Sequence, residues 1–250
     1  MFPLFDDNPH DHKPVVTWLL IAACIGVWLW QASLPAEAAR AAFYTLGMVP
    51  ALLFTDATLP DGMAVVPAWT TLVTSMFMHG GFMHLAGNML YLWIFGDNTE
   101  VALGRVRFLV FYLLCGIAAA LTQAFLDVRS EIPMVGASGA ISGVLGAYLL
   151  LFPRANVRVL MFPFGLVAVP AVIVLGLWFG LQLYSGMSAP TGEGGVAFWA
   201  HVGGFLAGMV LLPFFKPAGV RYFARGHDRP FRKVHRTPRD PRDGPWGRRR

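Results

Sequence analysis

The chain is 250 residues long, 56% hydrophobic and only 13% charged, with a net charge of +5 and a mean hydropathy of +0.57. A water-soluble domain carries about 25% charged residues, so this composition excludes a polar surface large enough to cover the chain in water. Of the 19 Lys and Arg residues, 12 lie from Lys216 onward. A basic tail beside apolar helices points to the cytoplasmic face of a membrane and not to nucleic acid.

Crossing the hydrocarbon core takes roughly 17–25 apolar residues. In chain order the predicted spans are 15–33, 82–96, 106–126, 134–152, 167–185 and 196–212. The second is short; the piece from Trp69 to Met78 before it either lengthens it or lies as an interfacial or re-entrant segment. The first has the position of a signal peptide, but Asp6, Asp7 and Asp11 stand before it beside a lone Lys13. It is read as an uncleaved helix. Cys24 and Cys115 each fall inside an apolar run and are expected as small core residues. The predicted architecture is an all-α, six-helix integral membrane bundle. It divides into an N-terminal segment, 1–14, a membrane domain, 15–214, and a basic, disordered tail, 215–250.

Charge orients this bundle. With six spans both termini share a side; placed in the cytoplasm, the inner segments hold 17 of the 19 Lys and Arg residues, leaving Arg40 and Arg129 outside. Positive charge marks the inside of a membrane protein, so both termini are expected in the cytoplasm of a cell (inner) membrane. The connection 34–68 is then external, ordered by packing or lying on the bilayer surface.

Polar groups are costly in lipid, which makes each intramembrane one a functional candidate. Three of the seven histidines qualify by position: His79 just before the second span, His84 at its external end, and His201 in the first turns of the sixth. Ser138 stands near the external start of the fourth. Three segments far apart in sequence thus bring polar side chains to one depth. Each feature alone has a plain explanation. His84 and Asn88, at i and i+4, would serve as an interhelical hydrogen-bond pair, and the GxxxG pairs Gly139–Gly143 and Gly204–Gly208 as ordinary helix contacts. Together they place Ser138 and His201 on two spans whose glycines permit close approach.

A serine hydroxyl becomes a nucleophile when a base in hydrogen-bond reach takes its proton, and imidazole suits that role near neutral pH. Acyl transfer also needs donors aimed at the developing oxyanion; His84, Asn88 and the backbone at Ser138 offer them. Ser138 and Ser142 share a helix face, so either can approach His201. No Asp or Glu lies in the fourth or sixth span, so a dyad is expected and not a triad. A metal site on His79, His84 and His201 is not expected, because there is no HExxH and no carboxylate beside them. No cofactor is called for.

At these residues the chain resembles the rhomboid family of intramembrane serine proteases. The match lies in HGGFMHLAGN at 79–88, GASG at 136–139 and AHVGGFLAG at 200–208, in that order on spans two, four and six. The resemblance implies Ser138 as nucleophile, His201 as general base, and His84, Asn88 and the Ser138 amide as oxyanion donors. His79, Gly136, Gly139, Gly204 and Gly208 would support them, and Glu100 looks like the family's structural carboxylate. It further implies transmembrane protein substrates, cut near the external face after a small side chain. Two positions depart from the pattern: Ser142 stands where an aromatic often stacks on the base, and the external connection lacks the family's Trp-Arg pair. A rhomboid-like protein that binds membrane clients without cutting them is the alternative, and would be expected to lack Ser138 or His201.

Overall fold

The computed structural model describes residues 2–8, 13–188 and 195–224. Each predicted span contains a helix: α1 Val15–Ser33, α5 Phe82–Leu103, α6 Arg105–Leu126, α7 Ser138–Leu151, α8 Ala171–Ser188 and α9 Phe198–Phe215. Among the described residues, α1, α6, α8 and α9 are long and apolar enough to cross a membrane. At 14 residues α7 is apolar but shorter. The 22-residue α5 mixes His84, Asn88, Asp97, Asn98 and Glu100 into its apolar run. Leu19, Leu29, Leu177 and Leu181 stand exposed on the outer helices, as side chains that meet lipid do.

Three boundaries differ from the sequence reading. Helix α5 continues past Gly96 to Leu103 and stops at Gly104, whose φ of +84° only glycine adopts cheaply. Residues 134–137 are not helical: Met48 and Met134 exchange backbone hydrogen bonds, and Gly136, at φ +127°, turns the chain into α7. The predicted start of the fifth span is strand; α8 begins only after Pro170.

The bundle also carries a small sheet that the hydropathy pattern did not reveal. Strands β1 Phe2–Asp6, β2 Asn156–Met161 and β3 Gly165–Pro170 pair antiparallel in that order. The sheet docks at the end of α7 opposite Ser138, where Asp6 accepts hydrogen bonds from Tyr148 and Asn98. Residues after α9 fold back on the same end through Phe223 N–H to Leu150 and Ala224 N–H to Leu151. The rest of the predicted tail lies outside the described residues.

Between residues 34 and 68 the chain is ordered as α2 Ala36–Leu46 and α3 Pro50–Phe54, with Met48, Val49 and Ala51 buried. The piece after it is a short helix, α4 Thr71–Thr74, between the 3₁₀ turns Ala68–Thr70 and Ser75–Phe77. Thr71, Ser75 and Met76 are buried, consistent with irregular backbone at membrane depth being tolerated where protein covers it.

Two contacts set the helix arrangement. Helix α1 starts after Pro14 without a cap of its own. Glu100 of α5 supplies one, its two oxygens accepting from Val16 N–H at 3.0 Å and from Thr17 N–H and Oγ1–H at 2.7 and 2.8 Å. A carboxylate at the positive end of a helix satisfies orphan N–H groups and the dipole together. At the centre, Gly204 and Gly208 of α9 lie directly on the carbonyls of Gly139 and Gly143 of α7, and a Cβ on Gly208 would sit 2.6 Å from the Gly143 Cα. Helices this close carry their side chains into mutual reach.

Candidate active site

Ser138 is the first residue of α7 and His201 lies in the first turn of α9. The Gly139–Gly204 contact one residue beyond Ser138 draws these two helix starts together. His201 Nε2 is 2.8 Å from Ser138 Oγ. Ser142 does not share this contact, because its hydroxyl donates to the Ser138 carbonyl at 2.6 Å, a common fate of serine inside a helix. Ser138 meets the imidazole, and Ser142 is turned into its own helix.

The other ring nitrogen is also engaged. His201 Nδ1 lies 2.7 Å from Oε1 of Gln182 on α8, and the Trp178 ring, one turn earlier on the same helix, packs 5.9 Å from the imidazole, tilted by 36°. The position four residues after Ser138 lacks an aromatic, but α8 supplies one from another direction. Neither Gln182 nor Trp178 was singled out in the sequence. For Gln182 the signal was present: it is an amide in an apolar run, the same cue that marked His201.

His84 and Asn88 complete the ring of polar groups. The His84 imidazole lies against Gly136, where a Cβ would meet its Nε2 at 2.8 Å. Gly80 N–H donates to His84 Nδ1 at 3.4 Å, which leaves the ring's proton on Nε2, the edge facing Gly136. Asn88 is buried, and its Nδ2 has no protein partner among the described residues. Both side chains, with Ser138, His201, Gly136 and Trp178, line a cavity of about 620 Å³. The cavity also meets the amino-terminal end of α7, whose first N–H groups have no helical acceptor.

Of the remaining predicted residues, Gly139 also lines the cavity, and the others lie behind or away from it. His79 is buried and packs edge-on to His84 with ring centroids 5.3 Å apart. Its backbone is clamped by Gln31 of α1, which accepts from the His79 N–H at 3.1 Å and donates to its carbonyl at 3.3 Å. Gly139, Gly204 and Gly208 form the helix contact beneath Ser138. Glu100 caps α1 at the opposite end of α5.

The arrangement holds a hydroxyl, an imidazole and several N–H donors around one space, which is the equipment of acyl transfer. Comparison with known proteins places the chain in a family. The profile of the Rhomboid domain matches residues 67–217. The chain is 31% identical over 147 residues to Rhomboid protein 1, mitochondrial, of Saccharomyces cerevisiae, covering 56% of this chain and 40% of that protein. It is 36% identical over 140 residues to rhomboid protease GluP of Bacillus subtilis, covering 56% and 25%. With putative rhomboid protease YdcA of the same organism the identity is 32% over 139 residues, covering 55% and 62%. The matches thus span from a quarter to about three-fifths of these relatives' lengths.

Proposed function

The chain belongs to the rhomboid family and is a multi-pass membrane protein, and from this premise we propose that it is an intramembrane serine endopeptidase. The observation that carries the reading is the 2.8 Å contact between Ser138 Oγ and His201 Nε2. In the proposed reaction, Oγ attacks the substrate's carbonyl carbon while its proton passes to His201 Nε2. The resulting oxyanion lies among the Ser138 N–H, His84 Nε2–H and Asn88 Nδ2–H. When the tetrahedral species collapses, the C–N bond breaks and the leaving amine takes the proton from Nε2. Water then enters the cavity, loses a proton to His201 and hydrolyses the acyl-enzyme.

A transmembrane helix hides its peptide bonds by internal hydrogen bonding. The substrates proposed are therefore single-span membrane proteins whose helix unwinds near the Ser138 end of the bundle. A fluorophosphonate probe tests the chemistry directly: it should form one adduct, mapped to Ser138, and no adduct in His201→Ala. Labelling elsewhere, or none in wild type, overturns the reading in favour of a client-binding protein without peptidase activity.

The positive-inside count supports placing both termini and the sheet in the cytoplasm and the cavity towards the external face. Cys24 and Cys115 are buried, so introduced cysteines report cleanly. Asp61→Cys, in the exposed connection before Ala68, should react with an impermeant maleimide on intact cells. Arg154→Cys, exposed after α7, should react only once the membrane is opened. The reverse pattern overturns the orientation.

The oxyanion assignment makes a separable claim. A donor to the developing charge strengthens its bond in the transition state, so its loss lowers kcat more than it raises KM. Asn88→Ala should cost about 10–10²-fold in kcat, below the roughly 10²–10³ of a lone donor, because His84 and the Ser138 amide cover part of the loss. His84→Ala should cost more. Glu100→Gln is the contrast: turning one acceptor into a donor beneath Val16 and Thr17 should cost about 2–3 kcal/mol of stability, while kcat per folded molecule stays near wild type. Steady-state kinetics on a reconstituted substrate, with thermal unfolding of each variant, separates the two. Loss of activity by Asn88→Ala in proportion to lost folded protein would remove it from the oxyanion site.

A further inference from the structure

We propose that Gln182 is the positioning residue that selects the reactive tautomer of His201, so that the dyad is completed by a neutral amide on α8. This deepens the serine-protease reading and rests on it for its kinetic consequence. A neutral imidazole carries one proton, on either nitrogen, and the hydrogen bond made by one nitrogen decides the state of the other. To accept from Ser138, Nε2 must be bare and the proton must sit on Nδ1. Gln182 Oε1, 2.7 Å from Nδ1, is an acceptor and holds the proton there. The three groups then form one directed chain: Ser138 Oγ–H to Nε2, and Nδ1–H to Gln182 Oε1. An amide turned the other way would donate to Nδ1, drive the proton to Nε2 and aim it at the nucleophile.

The same chain gains strength during reaction. When Nε2 takes the serine proton, the ring becomes a cation and its Nδ1–H bond to Oε1 becomes charge-assisted. An amide does this without holding a charge when the site is at rest, whereas a carboxylate at that depth carries a standing cost. Trp178 and Gln182 are at i and i+4 and so share the α8 face that meets His201. One braces the flat of the ring and the other its Nδ1 edge. No charged side chain faces His201 from the elements packed on it among the described residues. Helix α7 presents Ser138, and α6 presents Gln123, which accepts from the Ala200 N–H at 3.3 Å. The other titratable group facing it is His84 across the cavity.

The test uses the full chain in bilayers as wild type, Gln182→Leu and Gln182→Glu. It measures cleavage kinetics against pH and the ¹⁵N resonances of His201, assigned by their loss in His201→Ala. Gln182→Leu should lower kcat about 10–10²-fold, the size of one hydrogen bond to a charged group. KM should stay within about twofold, and the His201 signals should move from the Nδ1–H form towards a mixture of tautomers. Gln182→Glu should recover most of kcat and move the acid limb of kcat/KM to higher pH, because a carboxylate favours the imidazolium. An unchanged tautomer in Gln182→Leu with unchanged kcat overturns the proposal, as does a kcat loss that only follows lost folded protein. If wild type cleaves nothing, the protease reading fails, and the ¹⁵N comparison alone still decides the role of Gln182.

Discussion

Ser138→Ala is expected to leave a folded protein in detergent that cleaves a transmembrane reporter at least about 10⁴-fold more slowly than wild type. Removing a catalytic serine or its base strips out nearly all covalent catalysis, and the residual rate comes from oxyanion donors and binding alone. The substitution removes the hydrogen bond to His201 but leaves the glycine contacts between α7 and α9 in place, so the protein should stay folded. His201→Ala should fall equally far, because the two residues act as a unit and their losses do not add. Ser142→Ala is the informative control. Among the described residues its hydroxyl bonds the Ser138 carbonyl, so that variant should keep activity within a few-fold of wild type. Cleavage by Ser138→Ala at a tenth of the wild-type rate or better, measured on purified protein, would end the nucleophile assignment.

Gly208→Leu is expected to be nearly as damaging through a different cause, the loss of the α7–α9 contact. The space beside Gly208 is occupied by the Gly143 backbone, with Cα and carbonyl carbon each 2.6 Å from where a Cβ would stand. Backbone cannot rotate aside as a side-chain tip can, so the helices must separate. Even Gly208→Ala should cost about 1–3 kcal/mol by overpacking, and leucine more. Whatever fraction stays folded should lose more than about 10²-fold in kcat, because a displacement of about 1 Å at reacting groups has that effect. Gly26→Ala provides the comparison: nothing lies within 4 Å of its Cβ position, and alanine is the better helix former, so it should be neutral or slightly stabilising. Thermal unfolding and kinetics on the three variants check both parts. A Gly208→Leu protein with wild-type Tm and kcat would show that the close contact is dispensable.

Much of this protein was legible from its sequence because a membrane imposes local rules. Apolar length and the distribution of Arg and Lys are read without knowing any contact, and they located the helices α1 and α5 to α9 and proposed an orientation. Scarcity of polar residues in those runs drew attention to Ser138, His201, His84 and Asn88, since each must have a reason to be in lipid. The same local rules ran out wherever one segment had to meet another. They left Ser138 and Ser142 equivalent on one helix face; the family resemblance favoured Ser138, and the structure turns the Ser142 hydroxyl onto its own helix. They passed over Gln182, whose meaning depends on a histidine 19 residues away on the next helix. They marked Glu100 only through family resemblance, although its cap on α1 reaches across 84 residues. They saw no sheet, because five- and six-residue strands at the bundle's end carry no hydropathy signature against the apolar helices around them. The physical reason is the same in each case. Burial in lipid is a property of one segment and is written in its composition, whereas a hydrogen bond between distant side chains exists only after helix packing has placed both ends, here through glycines that bring α7 and α9 into backbone contact.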